Sequence, residues 1–147
     1  MSNVSRIRSV IVEREIDHSP ESIWRALTEP YLIADWLLNN DFKPVLGHRF
    51  TLIPTWGVIN CQIQVIEPPR ILSYTWDALT LRSLVTWELS PSGARTRLCM
   101  SHSGFGPYLD QAYQGAQYAW PSFLTSLERT LDRIDESPIR ATRGEQN

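Results

Sequence analysis

The sequence is poor in the features that usually assign a chemistry at sight. Its 147 residues include only two cysteines, Cys61 and Cys99, too few for a disulfide framework or a cysteine-rich zinc site. Lysine occurs once, at Lys43. The arginines that complete the fourteen basic residues are scattered singly and offset by sixteen acidic residues, for a formal net charge of −2. That balance argues against the concentrated positive field on which nonspecific nucleic-acid binding depends. No apolar run approaches the roughly 18 residues needed to cross a bilayer. Met1 to Arg6 hold no apolar stretch of the signal-peptide kind. There is no Gly-x-Ser-x-Gly elbow, phosphate-binding glycine loop or dinucleotide fingerprint. The expectation is one cytoplasmic domain with a real core and no cofactor. Aromatic residues are what the chain has in quantity: six tryptophans, five tyrosines and four phenylalanines.

Hydrophobic periodicity divides the chain into three parts. Val10, Val12, Arg14 and Ile16 alternate with Ile11, Glu13 and Glu15, which predicts a half-exposed strand. Ser19-Pro20-Glu21 then reads as a helix start, with Ser19 as N-cap and Pro20 at the first helical position. Ile23, Trp24 and Leu27 form the apolar stripe of this short helix. Thr28-Glu29-Pro30 breaks it and starts a second one bearing Leu32, Ile33 and Trp36.

From Asp41 to Gly104 the pattern is strands and turns. The inward sets are Ile59, Cys61, Ile63 and Val65; Leu72, Tyr74 and Trp76; Ser83, Val85, Trp87 and Leu89; and Leu98, Met100 and His102. Short connections imply an antiparallel meander with one apolar and one wet face. Cys61 and Cys99 then fall on strands separated by two others, so no disulfide between them is expected.

The last element is a long amphipathic helix, with Ala116, Trp120, Phe123, Leu127, Leu131 and Ile134 at three- and four-residue steps. Pro121 lacks an N–H, so a kink there or a helix start near it is expected. The architecture is therefore α+β, a curved antiparallel sheet wrapped around the C-terminal helix, with two short helices after the first strand. One domain spans residues 7–136, flanked by flexible tails at 1–6 and 137–147.

Several stretches carry a resemblance. Arg14-Glu15-Ile16-Asp17-His18-Ser19-Pro20-Glu21-Ser22-Ile23-Trp24, followed by Leu27-Thr28-Glu29-Pro30 and Trp36, is similar to the opening of an AHSA-type domain. This family comprises homologues of the activator of heat-shock-protein-90 ATPase, within the START-like superfamily of helix-grip folds. Glu67 to Trp76, Val85 to Leu89, Thr96 to Leu98 with His102 to Phe105, and Trp120 with Phe123, Leu124 and Leu127 resemble the same family in the same order. The resemblance covers about residues 7 to 135 and implies a deep, mostly apolar cavity between sheet and helix. Across the superfamily such a cavity commonly holds a hydrophobic small molecule, and in some branches it supports cyclase or aromatase chemistry. Two departures bear on its volume. Ala119 stands where relatives often have glycine, and the loop Pro54-Thr55-Trp56-Gly57 is short; both would shrink the cavity.

The residues expected to line the cavity are Trp36, Phe50, Tyr74, Trp76, Trp87, Met100, His102, Phe105 and Trp120. Large rings with a polar tip suit a pocket that orients an apolar guest, and equally suit a packed core. His102 is the one histidine on an inward face. It could anchor a ligand, act as acid or base, or be satisfied inside the core. Arg14 is the one charge on an inward face, placed either to clamp a ligand carboxylate or to pair with an acid at the strand end or on the final helix. His18 and His48 read as surface residues in turns, and the three histidines lack ligand spacing, so no metal site is expected. Cys61 reads as a small packing hydrophobe. Gly104 and Gly106 around Phe105 read as a hinge over the cavity mouth.

The first functional expectation is binding of a hydrophobic or aromatic small molecule by a monomer or homodimer, without nucleic acid or membrane insertion. The alternatives are a cyclase- or hydrolase-like enzyme using the same cavity, and a chaperone-associated interaction module.

Overall fold

The computed structural model describes residues 7–146, with side chains for residues 7–135; the expected tails, 1–6 and 137–147, lie outside the residues described in full. Strand β1 (Arg8–Ile16) leads into helices α1 (Pro20–Thr28) and α2 (Pro30–Trp36). Six strands follow: β2 (Asn39–Asn40), β3 (Arg49–Ile53), β4 (Ile59–Glu67), β5 (Ile71–Ala78), β6 (Leu81–Ser92) and β7 (Arg95–Phe105). Helix α3 (Asp110–Gln146) closes the fold. The strands form one seven-stranded antiparallel sheet in the order β1-β7-β6-β5-β4-β3-β2. The α+β helix-grip architecture expected from the sequence is thus present.

Local chemistry accounts for the entry into the fold. The Ser19 hydroxyl accepts from the Ser22 amide at 3.1 Å, and Pro20 occupies the first turn, where its missing N–H loses nothing. Pro30 forces Glu29 into an extended conformation, ending α1 and starting α2 in a single step. The two short helices can therefore fold back without a linker, and α3 packs across both of them and β1.

Strand alternation also holds, with one correction. Leu72, Tyr74, Trp76, Ser83, Val85, Trp87, Leu89, Leu98, Met100 and His102 are all buried, as their period demands. Val65 is not among them. The register slips between Ile63 and Val65, so Val65 pairs with Ser73 on the outer row and Ile66 takes the inner place opposite Leu72. One added residue exchanges the faces of everything beyond it.

Helix α3 begins at Asp110, well before Pro121, and continues through the proline; it does not start there. Its fully buried face is Trp120, Leu124, Leu127, Thr130 and Leu131, while Ala116, Phe123 and Ile134 are only half-buried. Gly104 has φ +122°, and a Cβ there would lie 2.7 Å from the Arg82 carbonyl oxygen and 2.9 Å from Ser83 Cα. Only glycine lets β7 approach β6 so closely at this point.

Candidate functional site

The inner face of the sheet and the inner face of α3 carry the aromatic residues toward each other, but these divide into two zones. Toward α2 they pack against one another. Trp87 and Trp36 meet edge to face at 5.5 Å, and Phe50 contacts both Phe42 and Tyr74 at about 5 Å. The polar tips are satisfied internally. Trp36 Nε1 donates to the Ala26 carbonyl at 2.8 Å, and Trp87 Nε1 donates to the Tyr74 hydroxyl at 3.1 Å. Burial pushes the Tyr74 hydroxyl pKa well above its ordinary value, despite the bond from Trp87. Trp36, Phe50, Tyr74, Trp87 and Met100 are therefore core, not cavity wall, which corrects their expected placement.

At the other end the rings leave a cavity of about 480 Å³. Four of the expected residues line it: Trp76, His102, Phe105 and Trp120. The remaining wall comes from residues that were not expected to line it. Ala112, Gly115, Ala116 and Ala119 face the space from α3, and Leu38, Ile59, Leu81 and Leu109 complete its apolar sides. The four small residues repeat at helical spacing and continue the Trp120–Phe123 stripe backwards toward the helix start. Trp120 and Phe123 fill the interior where they stand, whereas one turn earlier the same face presents only methyl groups and hydrogen, and that leaves the volume open. Ala119 and the short Pro54–Gly57 loop border the cavity without closing it. Trp56 and Leu79 stand at its rim, 59% and 84% exposed, and Leu79 adopts φ +55° at the tip of the β5–β6 hairpin.

His102 is held from both sides. Trp120 Nε1, which can only donate, reaches His102 Nδ1 at 3.0 Å. Nδ1 is thus the bare nitrogen, and Nε2 carries the hydrogen toward Ser83 Oγ at 2.8 Å. Ser83 in turn donates to the Trp76 carbonyl. Burial lowers the imidazole pKa to about 4, so the ring is neutral at physiological pH. Of the three roles open to His102, this geometry matches the histidine satisfied within the core, although one face of its ring borders the cavity.

Arg14 lies outside the cavity. Its guanidinium bonds Glu128 at 2.9 Å, Thr125 at 3.1 Å and the Pro121 carbonyl at 2.9 Å, fastening β1 to α3. The Pro121 carbonyl is further capped by the Thr125 hydroxyl. Of its two expected roles, pairing with the final helix is the one seen.

His18 corrects its surface assignment. Its side chain is 9% exposed and sits between Asp132 and Asp135 of α3, at 2.7 and 2.6 Å. Burial alone would lower its pKa, but the bonds and charges of the two carboxylates together raise it above the ordinary value. His48 is half-buried and stacks on Phe50. Both cysteines are free thiols; burial pushes the Cys61 pKa far up, so it is inert at neutral pH. Among the described residues no cluster of histidine, cysteine or carboxylate could hold a metal, and no helix is long and apolar enough to cross a membrane.

A long helix gripped by a curved antiparallel sheet, with a cavity at one end, defines the class. Residues 17–132 match the family model described as Activator of Hsp90 ATPase homolog 1-like protein, and the chain belongs to that family. Among solved structures it is similar to the protein MLL2253 from Mesorhizobium loti, with 49% identity over 86% of this chain and 98% of that one and a TM-score of 0.83. It is also similar to CalU16 from Micromonospora echinospora, with 26% identity over 95% of this chain and 85% of that one and a TM-score of 0.75. The Aha1 dimer from Colwellia psychrerythraea shares the fold at 19% identity, over 84% of this chain and 96% of that one, with a TM-score of 0.76. No curated protein matches the chain.

Proposed function

We propose that the protein binds a hydrophobic or aromatic small molecule in the cavity between the sheet and α3. One observation carries this reading. The core is closed by large rings at one end and deliberately emptied at the other, where Ala112, Gly115, Ala116 and Ala119 replace bulky side chains on the same helical face. A volume of about 480 Å³ lies within the range of small-molecule sites, roughly 300 to 1,000 Å³, and its wall is almost wholly apolar. An apolar wall of that extent offers packing contacts to an apolar guest.

The enzyme reading has less support. His102 is the one titratable side chain among the described lining residues; both its nitrogens are engaged, and a pKa of about 4 makes it a weak base at neutral pH. A thermal-shift screen of flavonoids, polycyclic phenols, polyketides and fatty acids tests the proposal. A native-state ligand at one hundred times its Kd adds about 2.7 kcal/mol of stability, an easily read rise in Tm. A screen in which nothing raises Tm, together with a ligand-free crystal structure whose cavity is collapsed, would overturn it.

A further inference from the structure

A carboxylate or phosphate entering an apolar cavity must find a cation, hydrogen-bond donors or water, because its desolvation otherwise outweighs the apolar contacts it brings. Among the described residues that line this cavity, none is charged at neutral pH. The Trp120 N–H is committed to His102 Nδ1, and His102 Nε2–H to Ser83. No fully buried side-chain nitrogen or oxygen among the described residues lacks a partner, and the other polar side chains on the wall, the Trp56 and Trp76 indoles and the Thr80 hydroxyl, carry no charge to pair with an anion.

The cations close to the mouth in sequence are committed as well. Arg82 donates to the Leu79 and Leu81 carbonyls at 2.8 and 3.0 Å, bracing the hairpin that carries the rim residue Leu79. Arg8 pairs with Asp110 at 2.6 Å, donates to the Gly106 carbonyl at 2.9 Å and lies over the Tyr113 ring. The positive end of α3, next to the lining residues Leu109 and Ala112, already has its own carboxylate in Asp110. What the walls do offer is ring surface. Trp76 and Trp120 sit 5.3 Å apart with their planes tilted, and Phe105 and Phe123 flank them, an arrangement suited to edge and offset contacts with another ring.

Resting on the ligand-binding reading above, we infer that the cavity selects uncharged fused-ring molecules and rejects carboxylates and phosphates of the same skeleton. At about 30 Å³ per water-sized atom, the cavity volume of about 480 Å³ holds on the order of 16 non-hydrogen atoms, or two to three fused rings with a small substituent.

The test compares matched pairs: anthracenemethanol with anthracenecarboxylate, and naphthalenemethanol with naphthoate. Binding to the full chain at neutral pH is read from quenching of tryptophan fluorescence and from thermal shift. The alcohols are expected to bind at least about tenfold more tightly than the acids, the effect of leaving a buried charge unpartnered. Ala116→Arg, which puts a guanidinium in the wall, is expected to reverse that order. Acids that bind within about twofold of the alcohols, or better, overturn the selectivity while leaving the cavity reading intact. If no member of either pair binds, the inferred preference for uncharged fused rings fails, and the cavity reading is decided separately by the wider screen.

Discussion

Lowering the pH should destabilise this protein through His102 well before the carboxylates begin to titrate. The imidazole has a folded-state pKa of about 4, depressed by burial, against an ordinary value of 6.5 in the unfolded chain. Its contribution to stability is therefore complete above about pH 6.5 and is lost as pH falls toward 4, because in that window the unfolded chain binds the proton and the native state does not. Each pH unit inside the window costs about 1.4 kcal/mol, so the one and a half units down to pH 5 remove about 2 kcal/mol. The network explains why the native state resists. Protonating Nδ1 would set a second N–H against that of Trp120, with no acceptor for either. The assay is urea unfolding between about pH 7 and pH 5, comparing the wild type with His102→Gln, which can accept from Trp120 and donate to Ser83 but cannot titrate. The variant is expected to lose about 2 kcal/mol less over that range than the wild type, whatever its stability at pH 7. Parallel pH slopes for the two proteins would refute the reasoning.

His18 should act in the opposite sense. Its raised pKa means that its pairing with Asp132 and Asp135 stabilises fully below 6.5 and fades as pH climbs through the folded value, so the penalty of His18→Gln should shrink from pH 6 to pH 8 in the same urea assay. Ala116→Phe should fill the cavity, keep or raise Tm because it buries further apolar area, and abolish the thermal shift from any ligand found in the screen. An undiminished shift would place the ligand elsewhere. Leu79→Asn should stabilise by about 0.5 to 1 kcal/mol in thermal unfolding, since a left-handed leucine at φ +55° is strained and asparagine tolerates that conformation. Gly104→Ala should cost more than about 2 kcal/mol in the same measurement, from the positive φ and the 2.7 Å approach to the Arg82 carbonyl.

Most of the fold could be read from the sequence because each of its elements repeats with its own period. Alternation placed the inner residues of β5, β6 and β7, and Ser19-Pro20 and Pro30 marked both helix starts. Three features were hidden for physical reasons. The bulge beside Val65 is a pairing event between strands, and nothing in the local alternation of β4 announces it. The two carboxylates that bury His18 lie on α3, more than a hundred residues away, so a turn histidine read alone looks solvated. The first turns of α3, before Ala116, were missed because Ala112 and Gly115 carry little hydrophobic signal, although they extend the spacing of Ala116 and Trp120.

That last omission explains why the aromatic residues misled and the small ones did not speak. Reading for a binding site favours large rings, and seven of the nine residues expected in the cavity were chosen that way; Trp36 and Trp87 pack within the core and are not among its lining residues. A cavity is made where side chains stop, so its signature is a helical stripe that keeps its period while losing its bulk. In this chain the change falls between Ala119 and Trp120, adjacent residues that both border the space. Enlarging Ala119 or Ala116 removes volume directly. Truncating Trp120 instead leaves His102 Nδ1 without its donor, at about 1 to 3 kcal/mol for a buried unsatisfied group, and enlarges the cavity besides. Affinity for a fused-ring ligand should therefore fall for Ala116→Phe with stability preserved, and stability should fall for Trp120→Phe with access preserved. Opposite movements of Kd and Tm in these two variants would separate the residues that make the space from those that hold its wall.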